Sequence, residues 1–312
     1  MERYKKVKIL VTGALGHIGS AFIHSLEDDE FSDVFMIDNM LTQRYSSLFN
    51  LPKKTKFHFF EDDILNADLN KFISKVDIVL HLAAITDAAS SFEKHEDVEK
   101  VNHQGTKKIA EACIINQTPL IFPSTTSVYG TQSNIVDEFC SIDELKPQSP
   151  YAKYKLFSEE MLKNMKKEDG LDFVACRFGT IFGTSIGMRF HTAVNRFCWQ
   201  AVMKQPLTVW ETAMDQKRPY LGVDDAVRSI KFIIKNKIFD GEVYNIVSSN
   251  NTVRDIIDII RISIPDLDIK LVDSKIMNQL SYEVLADKIN KVGFSPNSLI
   301  NNGIKQTIDY LQ

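Results

Sequence analysis

The chain has 312 residues, 44% of them hydrophobic and 25% charged, with a formal net charge of −4. That length can bury a large core and suits two lobes, and the mildly acidic balance excludes the basic footprint of a nucleic-acid binder. No apolar run approaches the ~20 residues that cross a bilayer and the N-terminus does not read as a signal-peptide h-region, so a cytoplasmic address without a membrane partner is expected.

In chain order, residues 7–11, 34–37, 56–60, 78–81 and 120–123 read as strands. Each is short, rich in β-branched or aromatic residues, and ends in turn chemistry. Residues 19–26, 66–73, 96–116 and 151–167 read as helices between and after them. This alternation predicts a doubly wound α/β fold with a parallel sheet. Residues 174–177 and 243–246 are further strands. After Gly183 the rhythm changes: a loop runs into a helix over 187–203, a strand falls at 208–210 and a helix at 224–236. A helix at 253–262, a strand at 269–272 and two small helices follow. The expected division is 1–180 plus about 218–248 for the sheet domain, and about 181–217 plus 249–312 for a smaller C-terminal α/β lobe. Lys5, Lys6 and Lys8 read as a solvated patch. Cys113, Cys140, Cys176 and Cys198 lack C-x-x-C spacing and read as free thiols, the first and third buried; the seven histidines show no metal-ligand pairing.

The run V-T-G-A-L-G-H-I-G occupies 11–19. Gly13 permits a tight turn, Gly16 lets backbone approach a phosphate, and Gly19 lets the following helix pack closely. The helix N-terminus then offers N–H groups to a pyrophosphate. Glycines also mark plain turns, but here strand, trio, helix, strand and acid follow in order. The acid is Asp38, which accepts from the adenosine ribose hydroxyls and repels a 2′-phosphate, so NAD is expected rather than NADP; a turn or cap aspartate is the bland alternative. Asp63 or Asp62, with the Ile64 backbone, would hold the adenine amino group.

In S-P-Y-A-K-Y-K (149–155), Tyr151 and Lys155 stand one helical turn apart. Oxidising an alcohol needs a base that takes the hydroxyl proton, and a neighbouring ammonium favours the phenolate of a group whose unperturbed pKa is about 10. Amphipathic packing is the competing reading of such a pair. Pro150 and the upstream T-T-S-V-Y-G run favour catalysis.

With these residues stated, the chain resembles the extended short-chain dehydrogenase/reductase family, in its nucleotide-sugar branch, and is similar to UDP-glucose 4-epimerases. The match comprises T-G-A-L-G-H-I-G (12–19), H-L-A-A (81–84), N-H-Q-G-T (102–106), S-T-T-S-V-Y-G (124–130), Y-A-K-Y-K (151–155), R-F-G-T-I-F-G (177–183) and R-P-Y-L-G-V-D (218–224). It implies a Rossmann fold, bound NAD and a catalytic set of Thr125, Tyr151 and Lys155. Lys155 would also hold the nicotinamide ribose. Leu15, His17, Ile18 and Asn39 are implied cofactor contacts, as are Leu82, Ala83, Ala84, Thr86, Ser124 and Phe178. Asn102 is implied at the same site in a structural task, and Tyr129 as packing nearby. Arg218 would clasp the substrate diphosphate, a surface ion pair with Asp224 or Asp225 being the alternative. Thr180, Asp87 and Trp210 are further substrate candidates; Asp87 could instead cap a helix and Trp210 could be core. The chain departs from the family at Pro219 and Gly222, and has Thr180 where many epimerases have Asn. A second diphosphate arginine is missing from its expected place, with Lys275, Gln279, Arg189 or His191 as substitutes.

Dehydratases of this branch carry an acid after the hydroxyl residue, whereas Thr126 and Ser127 stand here. The resemblance therefore implies NAD-dependent epimerisation through transient oxidation, at C4. A 4-dehydrogenase or keto-sugar reductase is the alternative, and a non-catalytic NAD sensor a remoter one. It also implies a homodimer through helices 96–116 and 151–167, with Ile109, Cys113, Tyr154 and Phe157 as candidates.

Overall fold

The computed structural model describes residues 7–27, 30–130, 135–273 and 281–312. Lys5, Lys6, Lys275 and Gln279 lie outside the described residues. The first half contains β1 (Val7–Thr12), α1 (His17–His24), β2 (Phe31–Asp38), β3 (Lys56–Glu61), α2 (Leu69–Ile73), β4 (Ile78–His81), α3 (His95–Val98), α4 (Gly105–Asn116), β5 (Leu120–Thr125), β6 (Ile135–Val136) and α5 (Pro150–Asp169). Then come β7 (Phe173–Phe178), β8 (Thr180–Phe182), α6 (Ala193–Val202), β9 (Leu207–Trp210), β10 (Lys217–Gly222), α7 (Val223–Asn236) and β11 (Asp240–Ile246). The chain closes with β12 (Ser249–Thr252), α8 (Val253–Ser263), β13 (Ile269–Val272), β14 (Glu283–Val284), α9 (Asp287–Lys291) and α10 (Ile300–Leu311).

A seven-stranded parallel sheet runs in the order β3-β2-β1-β4-β5-β7-β11. Every residue of β4, β5 and β7 is buried, as befits strands covered on both faces. Side chains alternate across the pleat. Ile9 and Val11 join Phe22 of α1 and Ile230 of α7, while Leu10 joins Phe72 of α2, Ile109 of α4 and Leu162 of α5. Strand order reverses between β1 and β4, which opens a crevice at their C-terminal ends.

The start of α5 is fixed locally. The Ser149 hydroxyl accepts from the Ala152 N–H at 3.2 Å, and Pro150 fills the first helical position. Tyr151 is thereby held in the first turn. Gly170, at φ 75°, ends the helix in the left-handed conformation.

The helix expected at 96–116 is divided, with a π-helical stretch, Glu99–Gln104, between α3 and α4. The wider turn rotates Asn102 inward, where Oδ1 accepts from the Ile85 N–H and Nδ2 donates to the Ile85 carbonyl, both at 2.8 Å. Residues 217–222 do not enter the central sheet: β10 pairs with β8 and β12 in a separate three-stranded sheet. The chain returns through α7 and β11. Around this small sheet, Phe182, Phe197, Leu207, Ile256 and Ile304 form a second core. Ile109 and Cys113 are fully buried in the core of the large sheet, so neither is free for a dimer seam. No helix among the described residues is long and apolar enough to cross a membrane.

Candidate active site

A cavity of about 550 Å³ runs from the C-terminal ends of β1, β2, β4 and β5 to β9 and β10. At its cofactor end, Gly13 has φ 65°, and a Cβ there would sit 2.6 Å from the Ala83 N. A Cβ on Gly19 would sit 2.5 Å from the Ala14 carbonyl oxygen. Glycine is therefore required at both by close approach, and at Gly13 also by backbone conformation. Gly16 caps α1 without a side chain, which leaves the first amides of the helix for an anion. Asp38 ends β2; its carboxylate accepts from Leu15 N–H at 3.1 Å and Met40 N–H at 3.0 Å and also lines the cavity. Asn39 donates to Asp63 at 3.0 Å, and Asp63 accepts from the Leu65 N–H at 2.9 Å.

The loop after β8 lies against the glycine turn. His17 Nε2 donates to the Gly183 carbonyl at 3.1 Å, Ser185 donates to the His17 carbonyl at 3.0 Å, and the Gly187 N–H donates to Ser20 Oγ at 2.9 Å. Burial lowers the His17 pKa to about 4, so the ring is neutral and structural. His81 is also neutral, lowered by burial to about 3. Thr106 gives its hydroxyl hydrogen to the Asn102 carbonyl, so His81 Nε2 donates to Thr106 (3.1 Å) and Nδ1 accepts from Thr12 (2.7 Å). This chain of bonds fixes the ends of β1 and β4 beneath the cavity.

Thr125 ends β5, and Tyr151 and Lys155 come from the first two turns of α5; all three line the cavity. Burial raises the Tyr151 pKa, while a hydrogen bond with Thr125 and the charge of Arg189 oppose the rise. Lys155 is 4% exposed. Its Nζ donates to the Pro123 carbonyl at 2.7 Å and lies 4.6 Å from the Phe122 ring centroid. Burial pulls its pKa down to about 7, against the attraction of Glu159.

Three arginines line the cavity wall. Arg218, on β10, lies 5.3 Å from the Tyr282 ring centroid and donates to Gln216 at 3.4 Å. Arg189 donates to Thr86, and Arg196 of α6 donates to the Thr208 carbonyl at 3.3 Å. The Nε of Arg189 and of Arg196 are buried without a hydrogen-bond partner. Trp210 lines the same cavity with Phe197, Val209 and Ala213. Asp225 is committed elsewhere, to Arg228, Ser248 and the backbone N–H groups of Asn297 and Ser298.

The cavity thus brings together Gly13, Gly16, His17, Ile18, Asp38, Asn39, Asp62, Asp63, Ile64, Leu82, Ala83, Ala84, Thr86, Asp87, Ser124, Thr125, Tyr151, Lys155, Phe178, Thr180, Arg189, His191, Trp210 and Arg218. Two candidates lie off its wall. Leu15 packs its side chain in the core, and Asn102 spends its amide on Ile85. Asp87 is also a turn cap, accepting from the Ala89 N–H at 3.0 Å. Arg196 and Tyr282 were not legible as site residues: Arg196 reads as the polar face of an amphipathic helix, and Tyr282 is far away in sequence.

A doubly wound sheet with a glycine turn, a strand-end aspartate and a Tyr–Lys dyad on the following helix defines an NAD-dependent short-chain dehydrogenase/reductase. Residues 9–247 match the model of the NAD dependent epimerase/dehydratase family, and the chain belongs to that family. Its cofactor is NAD. The chain is 33% identical over 247 residues to an uncharacterized UDP-glucose epimerase of Bacillus subtilis, covering 77% of this chain and 76% of that one. It is 27% identical to the dTDP-D-glucose 4,6-dehydratase of Bos taurus, covering 97% and 88%. The UDP-glucuronic acid 4-epimerase of Bacillus cereus, solved with UDP-glucuronic acid and NAD, superposes with a TM-score of 0.86 at 29% identity, covering 97% of this chain and 98% of that one.

Proposed function

We propose that the protein inverts C4 of a UDP-sugar through transient oxidation, with Tyr151 as the base. It is an NAD-dependent nucleotide-sugar epimerase. The observation that carries this reading is the convergence of Thr125, Tyr151 and Lys155 on one cavity wall beside the glycine turn. Bound NAD supplies the hydride acceptor and, after the sugar turns, the donor. Tyr151, as phenolate, takes the C4 hydroxyl proton and gives it back to the same oxygen after the keto sugar has turned its other face to the cofactor. Thr125 orients the sugar oxygen, and Lys155 favours the phenolate and holds the nicotinamide ribose. Arg218, with Arg189 and Arg196, grips the diphosphate while the keto sugar rotates.

Elimination of water is disfavoured, because an acid is needed beside Thr125. The Thr126 hydroxyl instead donates to the Phe178 carbonyl at 3.3 Å, and Ser127 is no acid. The test is incubation of purified protein with UDP-, dTDP-, GDP- and CDP-sugars, followed by NMR. An inverted C4 without net gain of reduced nicotinamide absorbance is expected, and Tyr151→Phe abolishes it while binding NAD. A net gain of that absorbance identifies a dehydrogenase instead.

The same reading gives residues 217–222 to the substrate lobe and 223–248 to the cofactor lobe. It also takes the protein to be a homodimer through α4 and α5, where Phe157 is 39% exposed. Light scattering that finds a monomer removes the dimer.

A further inference from the structure

Behind the dyad, on the side away from the cavity, lies a buried charge pair that the reaction itself does not touch. Glu159 is 1% exposed and Arg177 3%. Arg177 donates Nη2 to one Glu159 oxygen at 2.7 Å and Nε to both, at 3.1 and 3.2 Å. Ser124 donates its hydroxyl to the same carboxylate. The remaining arm of the guanidinium, Nη1, donates to the Tyr129 hydroxyl at 2.9 Å, and that hydroxyl donates to Asn245 Oδ1 at 2.9 Å. Asn245 in turn donates to the Leu285 carbonyl at 2.9 Å. Each of these bonds has an assigned donor, so the network has one arrangement. It ties α5 to β5, β7 and β11 behind the catalytic wall.

Two features make this more than scaffolding. Glu159 follows Lys155 by four residues on α5, so the two share a helix face. Ser124 directly precedes Thr125, and its hydrogen is turned into the pair, so towards the cavity Ser124 can only accept. A buried ion pair is seldom repaid in stability for the desolvation it suffers. Its field, however, acts at short range in a poorly screened interior.

We propose that Glu159, pinned by Arg177 and Ser124, is a positioning residue that keeps Lys155 charged and thereby sets the pH at which Tyr151 accepts a proton. This rests on the reading of Tyr151 as the base. The groups facing Lys155 are few. Tyr151 and Glu159 come from its own helix, the Pro123 carbonyl and Phe122 ring from β5 and neutral His81 from β4, while Arg177 of β7 is bound to Glu159. Arg189 acts on Tyr151 from the loop after β8. From the helix packed across α5, Glu99 takes the Tyr154 hydroxyl and His103 bonds Ser158, both on other faces. Glu159, hydrogen-bonded to Arg177 and Ser124 rather than to Nζ, is thus the anion that shares the ammonium's helix face. Buried Lys155 tends to lose its proton near neutrality, and Glu159 opposes that loss.

The test is the pH dependence of kcat/KM for Glu159→Gln and Glu159→Asp. It is paired with an ultraviolet titration of the phenolate in the NAD complex, read as the difference from Tyr151→Phe. With Glu159→Gln, the acid limb and the phenolate titration both move to higher pH, by on the order of one unit. KM stays within about twofold, because Glu159 does not line the cavity. Glu159→Asp restores the limb towards wild type. An unmoved limb in folded Glu159→Gln overturns the proposal, as does an equal move in Glu159→Asp, which would point to packing rather than charge. If Glu159→Gln does not fold, the double variant Glu159→Gln/Arg177→Met removes both charges; a smaller upward move is expected, and no move refutes the idea. Undiminished turnover by Tyr151→Phe would instead sink the reading of the base, a separable failure.

Discussion

Lys155→Met removes an ammonium and keeps the stem that fills the wall beneath Tyr151. A neighbouring opposite charge favours an anion by about one to three powers of ten. Burial already raises the Tyr151 pKa, so its phenolate depends on every charge nearby. At pH 7 the variant is expected to lose about 10- to 1,000-fold in kcat, and to recover about tenfold per pH unit as the pH rises. Stability should not follow. The Pro123 carbonyl loses its donor, at a cost of about 1–3 kcal/mol. Against that, burial disfavours the folded ammonium: a pKa lowered from 10.5 to about 7 corresponds to about 5 kcal/mol at acidic pH. The melting temperature of Lys155→Met at pH 6 should therefore equal or exceed that of wild type. Epimerisation is followed by NMR and NAD occupancy by fluorescence. A folded, NAD-loaded Lys155→Met enzyme with more than a third of wild-type kcat at pH 7 would refute the proton-transfer argument.

Gly13→Ala should abolish NAD binding and lower the melting temperature, since φ 65° and a 2.6 Å approach to Ala83 leave no room for a methyl; calorimetric titration and melting check both. Asp38→Gly should weaken NAD about 10- to 100-fold and relieve repulsion of a 2′-phosphate, which competition between NAD and NADP reads directly. Arg196→Met should raise KM for the nucleotide sugar about tenfold with kcat little changed, as the proposed grip on the diphosphate by this cavity-lining side chain requires. Acid should destabilise the fold through His17 and His81, whose folded pKa values are about 4 and about 3 against 6.5 unfolded. Below pH 6.5 the unfolded chain binds more protons, so stability present above that pH is lost as the pH falls towards these values. The slope reaches about 1.4 kcal/mol per unit per histidine, and His81→Gln should flatten it in urea titrations at pH 7, 6 and 5.

The strand at 78–81 coincides with β4, and the helix expected at 151–167 begins one residue from the start of α5, because both depend on local chemistry. The glycine turn is legible for the same reason: its constraints are backbone conformation and close approach within one βα unit. The small sheet is a different matter. β12 is S-N-N-T and β10 contains Pro219, so neither shows alternation; β10 exists because β8 offers a partner edge, and β12 because β10 then offers its other edge. The π-helical turn at 99–104 has no periodic signal, since it answers to the backbone of Ile85, distant in sequence. Ile109 and Cys113 look amphipathic in isolation, and only the position of the sheet decides that they face inward. Arg196 escapes sequence reading because an arginine on a helix is usually solvated, and its burial depends on the second core around Phe197.

Tyr151, Lys155 and Glu159 recur at intervals of four along one stripe of α5, and their surroundings grade from cavity to core. Tyr151 is half-buried, Lys155 is 4% exposed and Glu159 1%. The order suits the proposed chemistry. A base must reach the substrate, the charge that favours its anion must stay dry enough to act strongly, and the countercharge must be drier still and locked. A single helix satisfies all three because its axis passes from the crevice into the packed interior. An insertion of one residue between 151 and 155 would rotate the phenol about 100° away from its ammonium. On the proposed reading, the phase of α5 matters to function as well as its side chains, and the Ser149 cap with Pro150 at the first helical position fixes where that phase begins.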